Sequence, residues 1–370
     1  MTEPKPLKRG DRVAVVSLSS GVLGDSFCAH EKVLAERRLR TFGLEPVYMP
    51  NALAGSETLW MHPELRAADL KAAFLDDSVS GIISVIGGID TFRTFPFLME
   101  DADFIRAVQE HPKFFLGFSD TTNNHLMLHR LGLQTFYGQA LLPDLAELAD
   151  DMLPYSKAQF ESCFALYHGR KITPSPVWYE ERTDFSPAAL GTERVSHPET
   201  HGYELLQGAP VFEGELLGGC IDSMGEMLLS DCADYYAAQF AKKGVPNPEV
   251  FREQGAFIRR YDIFPHPEEW DGKILFAETS EDRPSPERLH CLLEALRNAG
   301  VFERLNGILV GKPMNECHYE AYKDVWRNAV QNPDIPILYN VNFGHAAPRA
   351  ILPYGATAHV DVNRQEIVLL

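Results

Sequence analysis

Residues 114–133 read FFLGFSDTTNNHLMLHRLGL and combine two patterns that decide the fold class. Four of the first five residues are apolar, which predicts a short buried strand. After Ser119 the apolar residues follow helical spacing, so a helix is predicted to begin directly after the strand. Ser119 therefore lies at a strand-to-helix corner, where a serine can be either a helix cap or a nucleophile.

The same alternation of strand and helix fills the chain before this corner. Apolar runs ending in small residues predict strands, and stretches with helical spacing separate them. This order is typical of right-handed crossovers and a mainly parallel sheet, so we predict an α/β domain over residues 1–168. Ligands bind beyond the carboxyl ends of such strands, where three short stretches lie: residues 17–21, 87–90 and 117–121.

The chain changes character after this domain. Residues 169–208 are polar, contain four prolines and show no sustained period, which predicts a substrate loop or linker. Residues 209–370 combine strand-like runs, a helical segment and an alternating tail, and they predict a β-rich C-terminal domain.

Composition excludes several classes of protein. The 370 residues carry a net charge of 34 − 52 = −18, which disfavours binding to nucleic acid, and 45% are hydrophobic, which is ordinary for a globular protein. The six cysteines include no C-x-x-C pair, so reduced and mostly packed thiols are expected. The N-terminus lacks the apolar segment of a signal peptide, and every apolar run is shorter than the roughly 18 residues of a membrane span. We expect a cytoplasmic protein that does not bind membranes.

Three further positions could contribute chemistry, and each has a simpler alternative. The pair Gly87 and Gly88 after a strand could let the backbone approach a ligand, or could make a plain tight turn. Glu278 at the end of a strand could orient a histidine, or could be an exposed acid. His345, on a loop bounded by glycine and prolines, could be a general base or an ordinary loop histidine.

Two other groups have weaker functional interpretations. His125 and His129 are four residues apart on one face of the predicted helix and could bind a metal. Because no H-E-x-x-H pattern or third ligand accompanies them, we favour a packing or hydrogen-bonding role. Trp178 could stack on a flat substrate group or anchor its loop.

Several stretches of the chain resemble one known family. They read GFSDTT (117–122), IGGID (86–90), LLGGCIDSM (216–224), LFAETSEDRPSPERL (275–289), NGILVGKP (306–313) and FGHAAPRAILPYGATAHVD (343–361). Together they are similar to the LD-carboxypeptidase family of serine peptidases, over about residues 8 to 365.

This resemblance implies a fold and a catalytic triad. A Rossmann-like N-terminal domain would carry Ser119, and a β-rich α+β C-terminal domain would supply Glu278 and His345. The family typically forms homodimers and needs no metal or cofactor. The backbone N–H groups of Gly88 and Asp120 would then form the oxyanion hole.

The family has two branches that differ in substrate. One removes the terminal D-alanine from murein tetrapeptides, and the other resembles the microcin C self-immunity protein, which cleaves the amide between a peptidyl or aminoacyl carboxyl group and a modified nucleotide. The length of this chain and the stretches AETSEDRPSPERL and VGKP favour the second branch. Gly87, Asp90 and Trp178 are the predicted substrate-binding residues, with Trp178 as the candidate for stacking on a nucleobase.

Two other classes of protein compete with this hydrolase hypothesis. A nucleotide-binding or muropeptide-binding protein without turnover would also use the glycine turn and Trp178. A Rossmann-type oxidoreductase is disfavoured, because the sequence after the strands lacks G-x-G-x-x-G.

Overall fold

The structure is a computed structural model that describes residues 1–229, 234, 236–238 and 248–370. The strands are β1 Arg12–Val16, β2 Glu45–Tyr48, β3 Val79–Ser84, β4 Phe114–Gly117, β5 Phe136–Tyr137, β6 Lys171–Ile172, β7 Val177–Tyr179, β8 Ser196–Pro198, β9 Glu204–Gln207, β10 Val211–Cys220, β11 Lys273–Glu278, β12 Gly307–Gly311, β13 Ile337–Val341, β14 Leu352–Pro353, β15 Thr357–Asp361 and β16 Glu366–Leu369.

Helices surround these strands in the described ranges. The α-helices are α1 Ala29–Thr41, α2 Ser56–Met61, α3 Pro63–Leu75, α4 Phe95–Leu98, α5 Ala102–Glu110, α6 Thr122–Arg130, α7 Pro154–Glu161, α8 Ile221–Glu226, α9 Gln254–Arg260, α10 Pro286–Asn298 and α11 Tyr319–Val330. Short 3-10 segments are Val22–Gly24, Ser26–Cys28, Thr91–Thr94, Ser119–Thr121, Ser162–Phe164, Pro187–Ala189, Pro248–Glu253, Pro267–Trp270, Val301–Glu303 and Met314–Glu316, and Leu141–Leu145 is π-helical.

The first sheet is built from the N-terminal strands. It has six strands in the order β14-β5-β4-β3-β1-β2, and β1 to β5 all pair in parallel. Val13, Ala14, Val15 and Val16 of β1 are 0% exposed, as expected for a parallel strand covered on both faces. The predicted α/β class with a Rossmann-like parallel sheet is confirmed.

The second sheet is mixed. It has eight strands in the order β6-β16-β15-β10-β11-β12-β13-β9, with β10 to β13 parallel and the remaining pairs antiparallel. The prediction of a strand-rich C-terminal part is confirmed.

Two segments cross the predicted domain boundaries. Residues 169–208, predicted to be a substrate loop or linker, contain β6 to β9; β6 and β9 are the edge strands of the larger sheet, and β7 and β8 form a separate ribbon. Leu352–Pro353, far into the C-terminal part, pairs with Phe136–Tyr137 in the first sheet. The boundaries at residues 168 and 208 stay a prediction.

The carboxyl ends of strands from both sheets supply the residues of interest. β3 and β4 end just before Gly87 and Ser119, β11 ends on Glu278, and β13 leads into the loop with His345. This is the edge where parallel sheets bind ligands.

Most of the described cysteines are buried or half-buried. Cys28, Cys163 and Cys220 are buried free thiols, Cys317 is half-buried, and Cys291 is exposed; Cys232 lies outside the described residues. Among the described helices, none has the length and apolar character needed to cross a membrane. The cytoplasmic location and the homodimer stay predictions.

Candidate active site

Ser119 lies at a sharp turn between β4 and α6. Its φ of +65° is rare for a residue with a side chain, and it aims the hydroxyl out of the sheet edge. The hydroxyl faces His345, whereas the N-cap position of α6 is occupied by Thr121. The serine therefore has the orientation of a nucleophile rather than of a helix cap.

The glycine pair after β3 packs directly against this serine. A Cβ on Gly87 would lie 2.6 Å from Ser119 Cβ and 2.7 Å from its Oγ, so a side chain here would displace the hydroxyl. Within the described residues, the backbone N–H groups of Gly88 and Asp120 have no acceptor. Both N–H groups are therefore available beside Ser119.

His345 bridges the two sheets. Its Nε2 lies 3.0 Å from Ser119 Oγ, and its Nδ1 lies 2.7 Å from Glu278 Oε2. The backbone N–H of His345 also donates to Glu278 Oε2, at 3.0 Å, and Arg349 Nη2 donates to the carbonyl of His345, at 2.7 Å. These backbone contacts fix the loop and the orientation of the imidazole ring.

Gly344 makes this close approach of the loop possible. Its φ is +86°, and a Cβ at this position would lie 2.2 Å from Cγ of Glu278. Any other residue would push the loop away from β11, so the sequence Gly344-His345 fits the geometry of the histidine.

Tyr137 joins the carboxylate and the serine and was missed in the sequence. Its hydroxyl donates to Glu278 Oε1, at 2.6 Å, and accepts from the backbone N–H of Ser119, at 3.3 Å. Burial, followed by the nearby Glu278 carboxylate, raises the pKa of Tyr137 well above its usual value. The phenol therefore stays neutral and remains a hydrogen-bond donor.

We expect Tyr137→Phe to lower kcat/KM by about tenfold to a hundredfold. The change leaves a buried carboxylate oxygen without its donor, which also costs about 1–3 kcal/mol of unfolding free energy. Steady-state kinetics and chemical denaturation measure the two effects on the same preparation.

Tyr354→Phe is the matched control. Tyr354 is equally buried, and its hydroxyl donates to the carbonyl of Gly218 rather than to Glu278. It should lose stability while keeping most of its activity. Equal loss of activity in both variants would contradict a specific role for Tyr137.

Two carboxylates control the charge of His345. Burial alone would lower its pKa, but Glu278 and then Glu281 raise the pKa of His345 to about 10. Glu281 was not singled out from the sequence. Its Oε2 lies 3.0 Å from His345 Nε2, the nitrogen that also faces Ser119.

A cavity of about 400 Å³ opens over Ser119 and His345, a size typical of sites for small molecules. Charged side chains and apolar groups both line it. The lining residues are Ser20, Ile86, Gly87, Gly88, Phe118, Ser119, Pro143, Glu181, Phe185, Glu281, Met314, His345 and Arg349.

The structure does not bring two predicted substrate-binding residues into this cavity. The carboxylate of Asp90 is buried and binds Arg66 through both oxygens, at 2.8 and 2.9 Å, and also Arg93, at 3.0 Å. The ring of Trp178 stacks on His197, at 4.3 Å between centroids, with Lys312 Nζ 5.2 Å from the ring centroid. We therefore interpret Asp90 as supporting the glycine turn and Trp178 as anchoring its ribbon.

The side chain of Asp120 faces away from the cavity over Ser119, toward Ser19. It accepts from the Ser19 hydroxyl, at 2.6 Å, from the Thr91 backbone N–H, at 2.9 Å, and from Asn123 Nδ2, at 2.9 Å. Burial raises the pKa of Asp120 to about 6 despite these donors. Asn124 Oδ1 accepts from the Thr91 hydroxyl, at 3.0 Å. Asn123 and Asn124 therefore hold the segments around the serine together.

The surroundings of the two histidines on α6 favour a packing or hydrogen-bonding role. His125 is 0% exposed; its Nε2 donates to the carbonyl of Gly117, at 3.0 Å, and its Nδ1 accepts from the Thr135 hydroxyl, at 2.7 Å. Burial lowers the pKa of His125 to about 3 and that of His129 to about 4. Both nitrogens of His125 are thus used inside the protein.

Cys220, Glu278 and His345 bring potential metal-ligand atoms within 4.8 Å of one another. Two of these atoms, His345 Nδ1 and Glu278 Oε2, are already hydrogen-bonded to each other. We assign no metal to this group.

A hydroxyl, an imidazole and a buried carboxylate in one chain of hydrogen bonds, at the edge of an α/β sheet, define a hydrolase-type site. The LD-carboxypeptidase N-terminal domain model matches residues 13–138, and the LD-carboxypeptidase C-terminal domain model matches residues 247–360. The chain belongs to the LD-carboxypeptidase family, a family of peptidases.

Individual relatives come from both branches of the family. The crystal structure of an MccF-like protein from Streptococcus pneumoniae in complex with AMP has 44% identity and a TM-score of 0.89, and the match covers 97% of this chain and 98% of that one. A probable murein peptide carboxypeptidase of Bacillus subtilis is 26% identical over 99% of this chain and 94% of its own. The microcin C7 self-immunity protein MccF of Escherichia coli is 23% identical over 82% of this chain and 77% of its own.

Proposed function

We propose that this protein is a serine hydrolase that cleaves the amide bond between a peptidyl or aminoacyl carboxyl group and a modified nucleotide. The observation that carries this proposal is the chain of contacts from Ser119 Oγ through His345 to Glu278, at 3.0 and 2.7 Å. The cavity over the serine supports a small-molecule substrate.

The reaction has two halves. Ser119 Oγ attacks the scissile carbonyl while its proton passes to His345 Nε2, and Glu278 stabilises the imidazolium. His345 then gives the proton to the leaving nitrogen, and the amide bond breaks. In the second half a water molecule loses its proton to His345 and attacks the acyl-serine ester, which returns the acid product and the free hydroxyl.

The negative charge of each tetrahedral intermediate needs donors beside the nucleophile. The backbone N–H groups of Gly88 and Asp120 are the candidates, because Gly88 lines the cavity over Ser119, Asp120 follows Ser119 in the chain, and neither N–H has an acceptor within the described residues. Fixed backbone donors at such positions stabilise the transition state without reorganisation.

The nucleotide class is supported by the AMP complex of the Streptococcus pneumoniae relative, at 44% identity over almost the whole chain. Phe185 lines the cavity and is 45% exposed, so its ring offers a stacking surface for a base. Trp178, which was predicted for this role, is already stacked on His197.

The alternative is release of D-alanine from a murein tetrapeptide. The Bacillus subtilis relative, a probable murein peptide carboxypeptidase matched over 99% of this chain, favours it. Both reactions would use the same three residues and differ in the leaving amine.

Product analysis separates these functions. We expect mass spectrometry to detect the free amino acid and sulfamoyl adenosine when an aminoacyl sulfamoyl adenosine is offered. A murein tetrapeptide is offered to the same preparation, and Ser119→Ala is the blank. Release of D-alanine from the tetrapeptide alone would select the alternative. A thermal shift by either compound without any product would indicate a binding protein.

A further inference from the structure

Two acceptors compete for one nitrogen of the candidate base. Ser119 Oγ and Glu281 Oε2 each lie 3.0 Å from His345 Nε2. The other ring nitrogen, Nδ1, is occupied by Glu278. His345 is thus held between two carboxylates, one at each nitrogen.

The two contacts of Nε2 require different protonation states of His345. An ionised carboxylate can only accept a hydrogen bond, so the contact with Glu281 is a hydrogen bond only when Nε2 carries a proton. With Nδ1–H donated to Glu278, the ring is then an imidazolium. An imidazolium cannot take the proton of Ser119, so His345 cannot act as a base while this contact is a hydrogen bond.

The two carboxylates differ in how much of each side chain is exposed to solvent. The side chain of Glu278 is 0% exposed and is bound by Tyr137 and by the backbone of the His345 loop, whereas the side chain of Glu281 is 62% exposed. Glu281 also lines the cavity over Ser119. A substrate bound in this cavity would therefore lie next to both Glu281 and Ser119.

We propose that Glu281 is a positioning residue that holds His345 in its protonated form in the empty enzyme and is displaced from Nε2 when substrate binds. Once Glu281 has moved away, the Nε2 proton is lost to solvent and His345 can accept the proton of Ser119. The inference rests on the proposed hydrolase function, and it adds that the protonation of His345 depends on whether substrate is bound.

Other charged groups also lie near His345 in the described part of the chain. Arg349 donates to the carbonyl of His345 rather than to its ring. Asp222, at the start of α8, is close enough that the charge of His345 acts to lower the pKa of the Asp222 carboxyl. Among the described residues, the titratable and charged groups that face His345 are Glu278, Glu281, Cys220, Asp222 and Arg349, with Tyr137 acting through Glu278.

Glu281→Gln tests the proposal in the full-length protein without substrate. Selective 15N-histidine labelling and NMR titration report the protonation of His345, whose signal is assigned by its loss in His345→Asn. We expect the pKa of His345 in Glu281→Gln to fall by at least one unit. An unchanged value would overturn the proposal. Asp282→Asn, which removes one charge from the next position, is the control and should leave the titration unchanged.

Kinetics test the displacement separately. Because kcat/KM reports ionisations of the free enzyme, its acid limb should move to lower pH in Glu281→Gln, with about a tenfold gain at neutral pH for each unit of pKa. Because kcat reports the complex, the two kcat profiles should coincide. If the pH profile of kcat for Glu281→Gln differs from that of the unmodified protein, the displacement of Glu281 by substrate is wrong.

Failure of the proposed function would give a different result. If the protein does not turn over either substrate, the NMR titration still decides whether Glu281 holds the proton on His345. If the protein is an active hydrolase and the titration is unchanged, the hydrolase proposal stands and the role of Glu281 is lost.

Discussion

Replacing Ser119 with alanine should reduce kcat/KM for amide cleavage by about 10⁵-fold or more, as removal of the nucleophile does in other triads. The change removes the Oγ that lies 3.0 Å from His345 and leaves the backbone N–H groups of Gly88 and Asp120 in place. The residual rate should be that of a site that binds substrate but forms no acyl-enzyme. Progress curves with mass-spectrometric detection of product have the range to measure such a loss.

Ser17→Ala is the matched control for this variant. Ser17 is also buried, at the end of β1, but its hydroxyl donates to the carbonyl of Ala52 and does not line the cavity. It should lose about 1 kcal/mol of unfolding free energy and keep its activity within about twofold. Activity of Ser119→Ala within about tenfold of the unmodified protein would end the serine hydrolase proposal.

Replacing Glu278 with glutamine should reduce kcat/KM by about 10³- to 10⁴-fold. The amide has nearly the same shape, so it can still face Tyr137 and His345, but it carries no charge to stabilise the imidazolium. Because the Glu278 carboxylate raises the pKa of His345, its removal should lower that pKa. The acid limb of the kcat/KM profile should therefore move to lower pH while the plateau falls.

Glu278→Asp separates charge from position. Aspartate keeps the negative charge but withdraws the carboxylate by one methylene group from His345. The acid limb of the kcat/KM profile should therefore lie closer to that of the unmodified protein in Glu278→Asp than in Glu278→Gln. Thermal unfolding of both variants shows whether the sheet edge is intact. A loss of less than tenfold in a folded Glu278→Gln would show that this carboxylate is not needed for turnover.

The fold class could be predicted because it depends on repeated local patterns. The apolar run before Ser119 and those of β1 and β3 each become parallel strands, and helical spacing separates them. The pairing of Leu352–Pro353 with the first sheet could not be predicted in the same way. A two-residue strand has no period, and its partner lies more than two hundred residues earlier.

The residues of the candidate triad were identified in two stages. The strand-to-helix corner made Ser119 a candidate, but the pattern alone favoured a helix cap. Glu278 and His345 were also candidates from their local sequence, but only the family resemblance joined them with Ser119, because a carboxylate and a histidine separated by 67 residues carry no local signal of contact.

Tyr137 and Glu281 were missed for different reasons. Tyr137 is one of thirteen tyrosines and touches Glu278 across 141 residues of sequence, which no short pattern reveals. Glu281 could have been suspected, since it lies three residues after Glu278. The direction of a loop side chain depends on its surroundings, so its contact with His345 required coordinates.

The substrate-binding roles of Asp90 and Trp178 stay predictions, although the structure gives each side chain a partner within the protein. An acid after a glycine turn and a tryptophan in a polar segment both look available for a ligand. Arg66 on α3 uses both oxygens of Asp90, and His197 of the neighbouring strand covers the face of Trp178. Neither Arg66 nor His197 is marked as a partner by a sequence pattern of its own.

The pairing of Leu352–Pro353 with Phe136–Tyr137 limits how the two halves can be exchanged between relatives. The same short pairing anchors the chain seven residues after His345 and includes Tyr137, which holds Glu278. In a chimaera with one junction between the halves, β5 and the Tyr137 hydroxyl would come from one parent. The His345 loop and the Glu278 carboxylate would come from the other. A functional hybrid would need a second crossover, so that 345–353 and 136–137 are inherited together.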